Sequence, residues 1–343
     1  MTAWVVVLAG GVGSRFWPLS TPTRPKQLLP LIGSAPLLRE TLDRLAPLAD
    51  PAHTLILTNA SLVRAVTDLV PAFPTENVIA EPKPAGTAPA LAWAAREIVR
   101  RDPEGVMISV HADWAIADAE GFRRTLQRAA DVATRHSALV TVGVVPSRPD
   151  PGFGYIWPGD VVEGDVRRVR QFVEKPDRTR AEQMLRDGFL WNSGIFVWRA
   201  ADFLDEIRRH TPEVGPALDA SRGNLKTFFD TVRPITVDVG VLERSERVMV
   251  LPGDFGWDDV GTWAALRRVR KLDPAGNAAS GAAWPVDARG NVVHAEGCDV
   301  VLYGVDDLVV VSREGLTLVT TVERAADLKA LVEALPPDVR NRT

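Results

Sequence analysis

The residues best placed to do chemistry stand near the start of the chain. Leu8-Ala-Gly-Gly-Val-Gly-Ser-Arg-Phe-Trp-Pro-Leu-Ser20 is followed closely by Arg24-Pro-Lys-Gln27. After Leu8, the glycines Gly10, Gly11 and Gly13 leave backbone amides open to a ligand, because no Cβ stands in the way. Ser14 continues the loop, and Arg15 and Lys26 add fixed positive charge. Charge beside open amides suits the triphosphate of a nucleotide. A plain strand-to-helix turn also uses glycines, so the glycines alone decide little; Arg15 and Lys26 favour the phosphate reading. Two other phosphate loops do not fit. A Walker A loop ends in Gly-Lys-Ser/Thr, which is absent, and the spacing is not G-x-G-x-x-G.

Further segments carry groups with both a chemical and a structural reading. Glu81-Pro-Lys-Pro-Ala-Gly-Thr-Ala-Pro-Ala90 offers a carboxylate that could accept hydrogen bonds from a ligand. It also reads as a proline-rich loop whose Thr87 caps the helix that follows. Asp113, in Ser109-Val-His-Ala-Asp-Trp114, directly follows an apolar run and suits either a metal or a turn. Gly256-Trp-Asp-Asp-Val-Gly-Thr-Trp263 carries two more carboxylates. Glu174-Lys175 would ordinarily be a solvated surface pair, and Asn192-Ser-Gly194 a bulge. His111 is given no role.

These groups need elements to hold them. Apolar β-rich runs at 3–9, 54–58, 106–110 and 138–144 alternate with helix-like stretches at 36–45, 62–70, 88–100 and 119–136. Such alternation predicts βαβ units and a Rossmann-like α/β sheet, mostly parallel and flanked by helices. Ligands bind such sheets at the carboxyl ends of the strands, which raises the weight of residues just after a strand. From 152 to 198 the pattern is more strand-rich, with candidates at 166–173 and 190–198. Helical stretches return at 200–209 and 261–271. Asp273-Pro-Ala-Gly-Asn277 is a turn cluster, followed by short strands at 291–295, 300–303, 308–312 and 317–321 and a closing helix at 325–335. The expected organisation is a catalytic domain over 1–272 and a small β-rich domain over 273–343, which could support a homodimer. Most of the ten tryptophans, such as Trp93, Trp198 and Trp263, sit in apolar runs and are expected in the core.

Composition narrows the class. A net charge of −4 with 24% charged residues gives no reason to expect nucleic acid or a membrane surface as partner. A single cysteine, Cys298, rules out an internal disulfide and fits a reducing compartment. The apolar run 4–8 has no basic segment before it and glycines right after it, so it reads as a buried strand rather than a signal segment. The expectation is a soluble, cytoplasmic protein.

Gly-Gly-x-Gly-Ser-Arg with a following Pro25-Lys26 resembles the sugar nucleotidyltransferases. The form with Phe16-Trp17-Pro18-Leu19-Ser20 and Gln27 is similar to the mannose-1-phosphate guanylyltransferases, and the likeness runs in order over roughly 1–335. The resemblance implies that the loop with Arg15 and Lys26 holds nucleotide phosphates and that Glu81, Gly86 and Thr87 lie near the base. It implies that Asp113 and Asp259 bind Mg²⁺ or another divalent metal, with Asp258 in a variable slot. Gly154, Glu174 and Asn192 fall to the sugar, and Lys175 to its phosphate. The sequence departs from the pattern at Ala85-Gly86, where relatives often carry Arg-Asn, and at Trp114, where His is common.

The reaction this implies joins GTP and mannose 1-phosphate into GDP-mannose and pyrophosphate. A phosphate monoester has a second pKa near 6, so the attacking oxygen is already anionic and needs no general base. The lack of a Ser-His-Asp or Cys-His set is therefore expected. Two alternatives stand beside this reading. One is another nucleotide and hexose pairing, such as glucose 1-phosphate. The other is a catalytically silent regulatory subunit that binds nucleotide sugar.

Overall fold

The computed structural model describes residues 2–11, 14–313 and 315–340; of Ser14 the backbone alone is described. By internal contacts the chain forms two compact units. The first comprises Met1–Gly10, Asp43–His111 and Asp118–Trp257, the second Gly11–Leu42, Ala112–Ala117 and Asp258–Thr343.

A nine-stranded sheet organises the first unit. Its strands are β1 (Ala3–Leu8), β2 (Thr54–Asn59), β3 (Val78–Glu81), β4 (Val106–His111), β5 (Leu139–Val144), β6 (Tyr155–Glu163), β7 (Val166–Val173), β8 (Leu190–Arg199) and β9 (Val248–Gly253). Their spatial order is β3-β2-β1-β4-β8-β5-β9-β7-β6, with a further pairing of β6 on β8. The pairs β1–β2, β1–β4, β2–β3 and β5–β9 are parallel. Only β7 and β8 run against the other seven, which bears out a mostly parallel α/β sheet. Both faces are covered. Val5 and Val7 are fully buried on one side, while Trp4, Val6 and Leu8 join the core under the helix Thr87–Arg101. That is why these strands read as unbroken apolar runs.

Three strands of this sheet escape the sequence reading. β3 is four residues long, β6 carries Pro158, Gly159 and Asp160, and β9 lies in a stretch with no assigned element. The helices Arg178–Arg186, Gly215–Ala220 and Leu225–Thr231 escape it too.

The second unit gathers a separate core of Phe16, Trp17, Leu19, Trp263, Val292 and Val309, among others. Among the described residues, six short strands follow position 273 in this unit: β10 (Ala278–Ser280), β11 (Ala283–Val286), β12 (Val292–Ala295), β13 (Val300–Tyr303), β14 (Leu308–Arg313) and β15 (Leu316–Thr321). β10, β12 and β14 stack in parallel, β15 closes that sheet antiparallel, and β11 pairs in parallel with β13. Buried Asn277 and Asn291 tie the turns between rungs. Asn277 Nδ2 donates to Ala288 O at 2.8 Å, and Asn291 Nδ2 to Val305 O at 3.0 Å. The expected helix at 261–271 is a correction: only Leu266–Val269 is α-helical, after a 3₁₀ turn at Trp263–Ala265. Val260 at φ +47° and the extended Arg270 bracket this stretch and keep it short. Trp93, Trp198 and Trp263 are all core residues, as expected.

Candidate functional site

In the first unit, β1 to β4 end side by side and deliver Leu8, Asn59, Glu81 and His111 to one edge of the sheet. Beyond β1, Asn59 Nδ2 donates to Gly10 O at 2.7 Å and Thr58 Oγ1 to Ala9 O at 3.1 Å. These bonds fix the start of the glycine loop. A Cβ on Gly10 would stand 3.5 Å from Glu81 Oε1, so Gly10 and the carboxylate are neighbours. Glu81 is 9% exposed, and burial pushes its carboxyl up to about 7. Gly13 lies outside the described residues.

The loop after Glu81 is held from the far side of the sequence. Gly86 sits at φ +84°, where a Cβ would approach Ile235 O to 2.4 Å, so glycine is required there twice over. Ile235 N donates to Ala85 O at 3.1 Å, and Ala88 N to Ile235 O at 3.2 Å. Thr87 is the first helical residue and not a cap; Gly86 occupies the cap position without a side chain. The Thr87 hydroxyl instead accepts from Val237 N at 2.9 Å. The cap expected from sequence is thus replaced by a clamp on residues 235–237.

Gly154, Glu174 and Asn192 come together in the same unit. A Cβ on Gly154 would lie 2.7 Å from Glu174 Oε2 and 3.5 Å from Asn192 Cβ. Asn192 N donates to Gly154 O at 2.8 Å. The bulge is real as well: the β5–β8 register shifts between Thr141 and Gly143, and Gly194 adopts φ +75°. Lys175 Nζ pairs with Glu174 Oε1 at 2.7 Å, and both side chains are exposed. Lys175 has φ +44°, an uncommon backbone for a lysine just after a strand.

In the second unit Lys26 is buried and bridges two distant segments. Its Nζ donates to Asp113 Oδ2 at 2.9 Å and to Asp259 O at 2.6 Å. Gln27 Nε2 reaches back to Gly11 O at 2.9 Å. Arg15 is exposed within the 3₁₀ turn Ser14–Phe16. Asp258 and Asp259 divide their work. Asp258 accepts from Arg268 Nε and Nη2 at 2.6 and 3.0 Å and from Val260 N at 2.8 Å, a structural fork. The Asp259 carboxylate instead leans on the next glycine, where a Cβ on Gly261 would lie 2.6 Å from Oδ2.

Asp113 and Asp259 fit a hard divalent cation in donor type: both are carboxylates, and the bridging ammonium keeps their segments together. No group of three or more His, Cys, Asp or Glu side chains is gathered to hold a metal among the described residues. Two protein carboxylates, with the remaining ligands from phosphate and water, is the arrangement a nucleotide-bound Mg²⁺ ordinarily takes.

Comparison with known proteins decides the family. A family model described as nucleotidyl transferase matches residues 4–275. The chain belongs to the nucleotidyl transferase family. This nucleotidyl transferase is 36% identical to the mannose-1-phosphate guanylyltransferase ManC of Salmonella typhimurium (strain LT2), over 98% of this chain and 74% of the relative. A mannose-1-phosphate guanylyltransferase of Escherichia coli (strain K12) is 34% identical over the same shares. Among solved structures, one named a mannose-1-phosphate geranyltransferase, from Thermus thermophilus, superposes with a TM-score of 0.89 at 35% identity, covering 97% of this chain and 99% of that one. Within its family the chain groups with the mannose-1-phosphate guanylyltransferases. Nucleotidyl transferases of this family generally use a divalent metal. No described helix is long and apolar enough to cross a membrane.

Several residues that hold these candidate groups in place carried no sequence signal. Ile235 and Val237 act through backbone atoms, which any residue type could supply. Arg268 is one of many arginines until its fork on Asp258 is seen. Asp238, which accepts from Asn192 Nδ2 at 2.6 Å, lies in a stretch with no readable period.

Proposed function

We propose that this enzyme transfers a guanylyl group from GTP to mannose 1-phosphate, giving GDP-mannose and pyrophosphate. The observation that carries the reading is the buried Lys26 ammonium, which joins the Asp113 carboxylate to the backbone of Asp259. A buried ammonium held between the Asp113 carboxylate and the backbone of Asp259, drawn from three distant segments, supports a phosphate and cation site there.

The roles follow from what each group can do. Arg15 and Lys26 neutralise the triphosphate, with the amides of Gly10, Gly11, Gly13 and Ser14 beside Leu8 as donors. Glu81, ionised, accepts from guanine N1–H and N2–H, and the Gly86-Thr87 turn shapes the loop around the base. Glu174 and Asn192 meet sugar hydroxyls, Gly154 admits the ring close to the backbone, and Lys175 meets the sugar's phosphate. A divalent metal held by Asp113 and Asp259 would polarise the α-phosphate and offset charge on the leaving pyrophosphate. An oxygen of mannose 1-phosphate attacks the α-phosphorus in line, the new P–O bond forms, and the bond to the β-phosphate oxygen breaks. The attacking dianion needs no proton removed, so the side chains supply position and charge alone.

The same reading keeps residues 1–272 as the catalytic segment and 273–343 as the β-rich appendage, with a cytoplasmic homodimer as the working form. Light scattering after size-exclusion chromatography tests the dimer. The activity is tested in reverse, by incubating the enzyme and Mg²⁺ with GDP-mannose and pyrophosphate and following GTP. GTP formation supports the proposal. Binding of GDP-mannose without GTP formation would favour the regulatory subunit.

A further inference from the structure

The residues around 234–242 hold both ends of the first unit's ligand-facing surface. On one side they clamp the loop 85–88 through Ile235 and Val237. On the other, Asp238 begins a π-helical turn, Asp238–Leu242, and takes the Asn192 amide at 2.6 Å. Such turns are rare and recur at functional sites. Asn192 is itself committed at both ends: Nδ2 donates to Asp238 Oδ1, and Oδ1 accepts from Gly194 N at 3.2 Å. Its side chain is therefore fixed, and the charged acceptor beside it is Asp238. The Asp238 carboxylate also feels Glu174 and His111 electrostatically. Glu174 Oε2 and Asn192 Nδ2 thus border the space that Gly154 leaves by having no Cβ, at 2.7 and 3.8 Å from where a Cβ would stand, and Asp238 adjoins it through its bond to that same Nδ2.

We propose that Asp238 is a specificity-determining sugar contact: its carboxylate, aligned by Asn192, accepts from hydroxyls of a neutral hexose 1-phosphate and, with Glu174, disfavours sugar phosphates that carry a carboxylate on the ring. The inference rests on the assignment of Gly154, Glu174 and Asn192 to the sugar. The chemistry is that of an acceptor-only group meeting a ring rich in donors. Burial, the largest influence on Asp238, raises its pKa, which marks the carboxylate as poorly hydrated. A poorly hydrated acceptor gives up little water when a sugar hydroxyl arrives, and its bond is stronger for the low local dielectric. A uronic acid would bring a third negative charge into the same space.

Asp238→Asn tests this cleanly, because an amide oxygen can still accept from Asn192 while the charge is removed. The expected result is a KM for mannose 1-phosphate raised about 10- to 100-fold, the worth of one hydrogen bond to a charged group, with the KM for GTP within about twofold. A series of deoxymannose 1-phosphates separates contact from support. In the wild type one deoxy analogue should lose about as much as Asp238→Asn does, and the variant should lose nothing further on that analogue. Equal additional losses on every analogue would overturn the contact, as would a matching rise in the KM for GTP. If Asp238→Asn is recovered unfolded by thermal melting, Asp238→Ser carries the same comparison. A wild type inert with every hexose 1-phosphate overturns the sugar assignment and this inference together. An active wild type with an indifferent Asp238→Asn overturns this inference alone.

Discussion

Lys26 and Asp113 lie 87 positions apart in the chain, yet their charged atoms meet at 2.9 Å, and the same ammonium reaches Asp259 O at 2.6 Å. One buried cation therefore organises the residues assigned to phosphate and metal. Lys26→Met should lower kcat about 10²- to 10³-fold, the usual loss for one preorganised electrostatic group. Asp113 is about a third exposed, so the stability loss should be about 1–2 kcal/mol, below that of a fully buried pair. Lys26→Met combined with Asp113→Asn should regain stability in urea titration but not turnover. Recovery of turnover would make the pair structural.

Glu81 predicts a pH dependence for the base. Its carboxyl sits at about 7 because burial disfavours the charge. Only the carboxylate accepts from both guanine donors, so GTP binding should weaken as pH falls through 7. The KM for GTP should rise about tenfold per pH unit below that point, at constant KM above about pH 8. Glu81→Gln should flatten the profile and narrow the preference for guanine. A wild-type KM for GTP that is level from pH 5.5 to 8 would remove Glu81 from the base site.

Lys175 is exposed and bonded to Glu174 at 2.7 Å. Lys175→Ala should raise the KM for mannose 1-phosphate about 10- to 100-fold, as for a lost charge-assisted bond, and leave that for GTP nearly unchanged. Steady-state kinetics with each substrate varied in turn reads this directly. Equal effects on both substrates would withdraw the assignment.

His294 makes the second unit sensitive to acid. It is buried, its Nδ1 lies 3.1 Å from Arg270 Nη2, and its pKa is lowered to about 4 by burial and by that guanidinium; Arg24 also lowers it and Glu296 raises it. Arg270 in turn holds Leu31 O at 2.7 Å and Val293 O at 3.2 Å. The unfolded chain protonates its imidazole near 6.5, the folded chain only near 4. Stability from this source is complete above pH 6.5 and falls by about 3 kcal/mol as pH drops to 4. Urea unfolding across that window should show the loss in the wild type and a shallower slope in His294→Gln. Identical slopes would contradict it.

How much of this was visible beforehand depended on whether a residue's meaning was local. β1, β2, β4 and β5 were legible because both faces are buried and nearly every position is apolar. β6 was not, since it mixes exposed Trp157 and Val161 with turn residues and finds its partners only in β7 and β8. Asp113 could be ranked because it follows a strand, and Lys26 because it follows a glycine loop. Thr87 was legible as a polar residue at a helix start, but its partner, Val237 N, lies 150 positions away. Asp238 means little until the fold brings Asn192 to it across 46 residues.

The most direct test is pyrophosphate release by purified protein with Mg²⁺, crossing four nucleoside triphosphates with mannose 1-phosphate and glucose 1-phosphate. Release confined to GTP with mannose 1-phosphate is the predicted result. Release with a different pair would keep the transferase and discard its substrates, and no release with any pair would contradict the account.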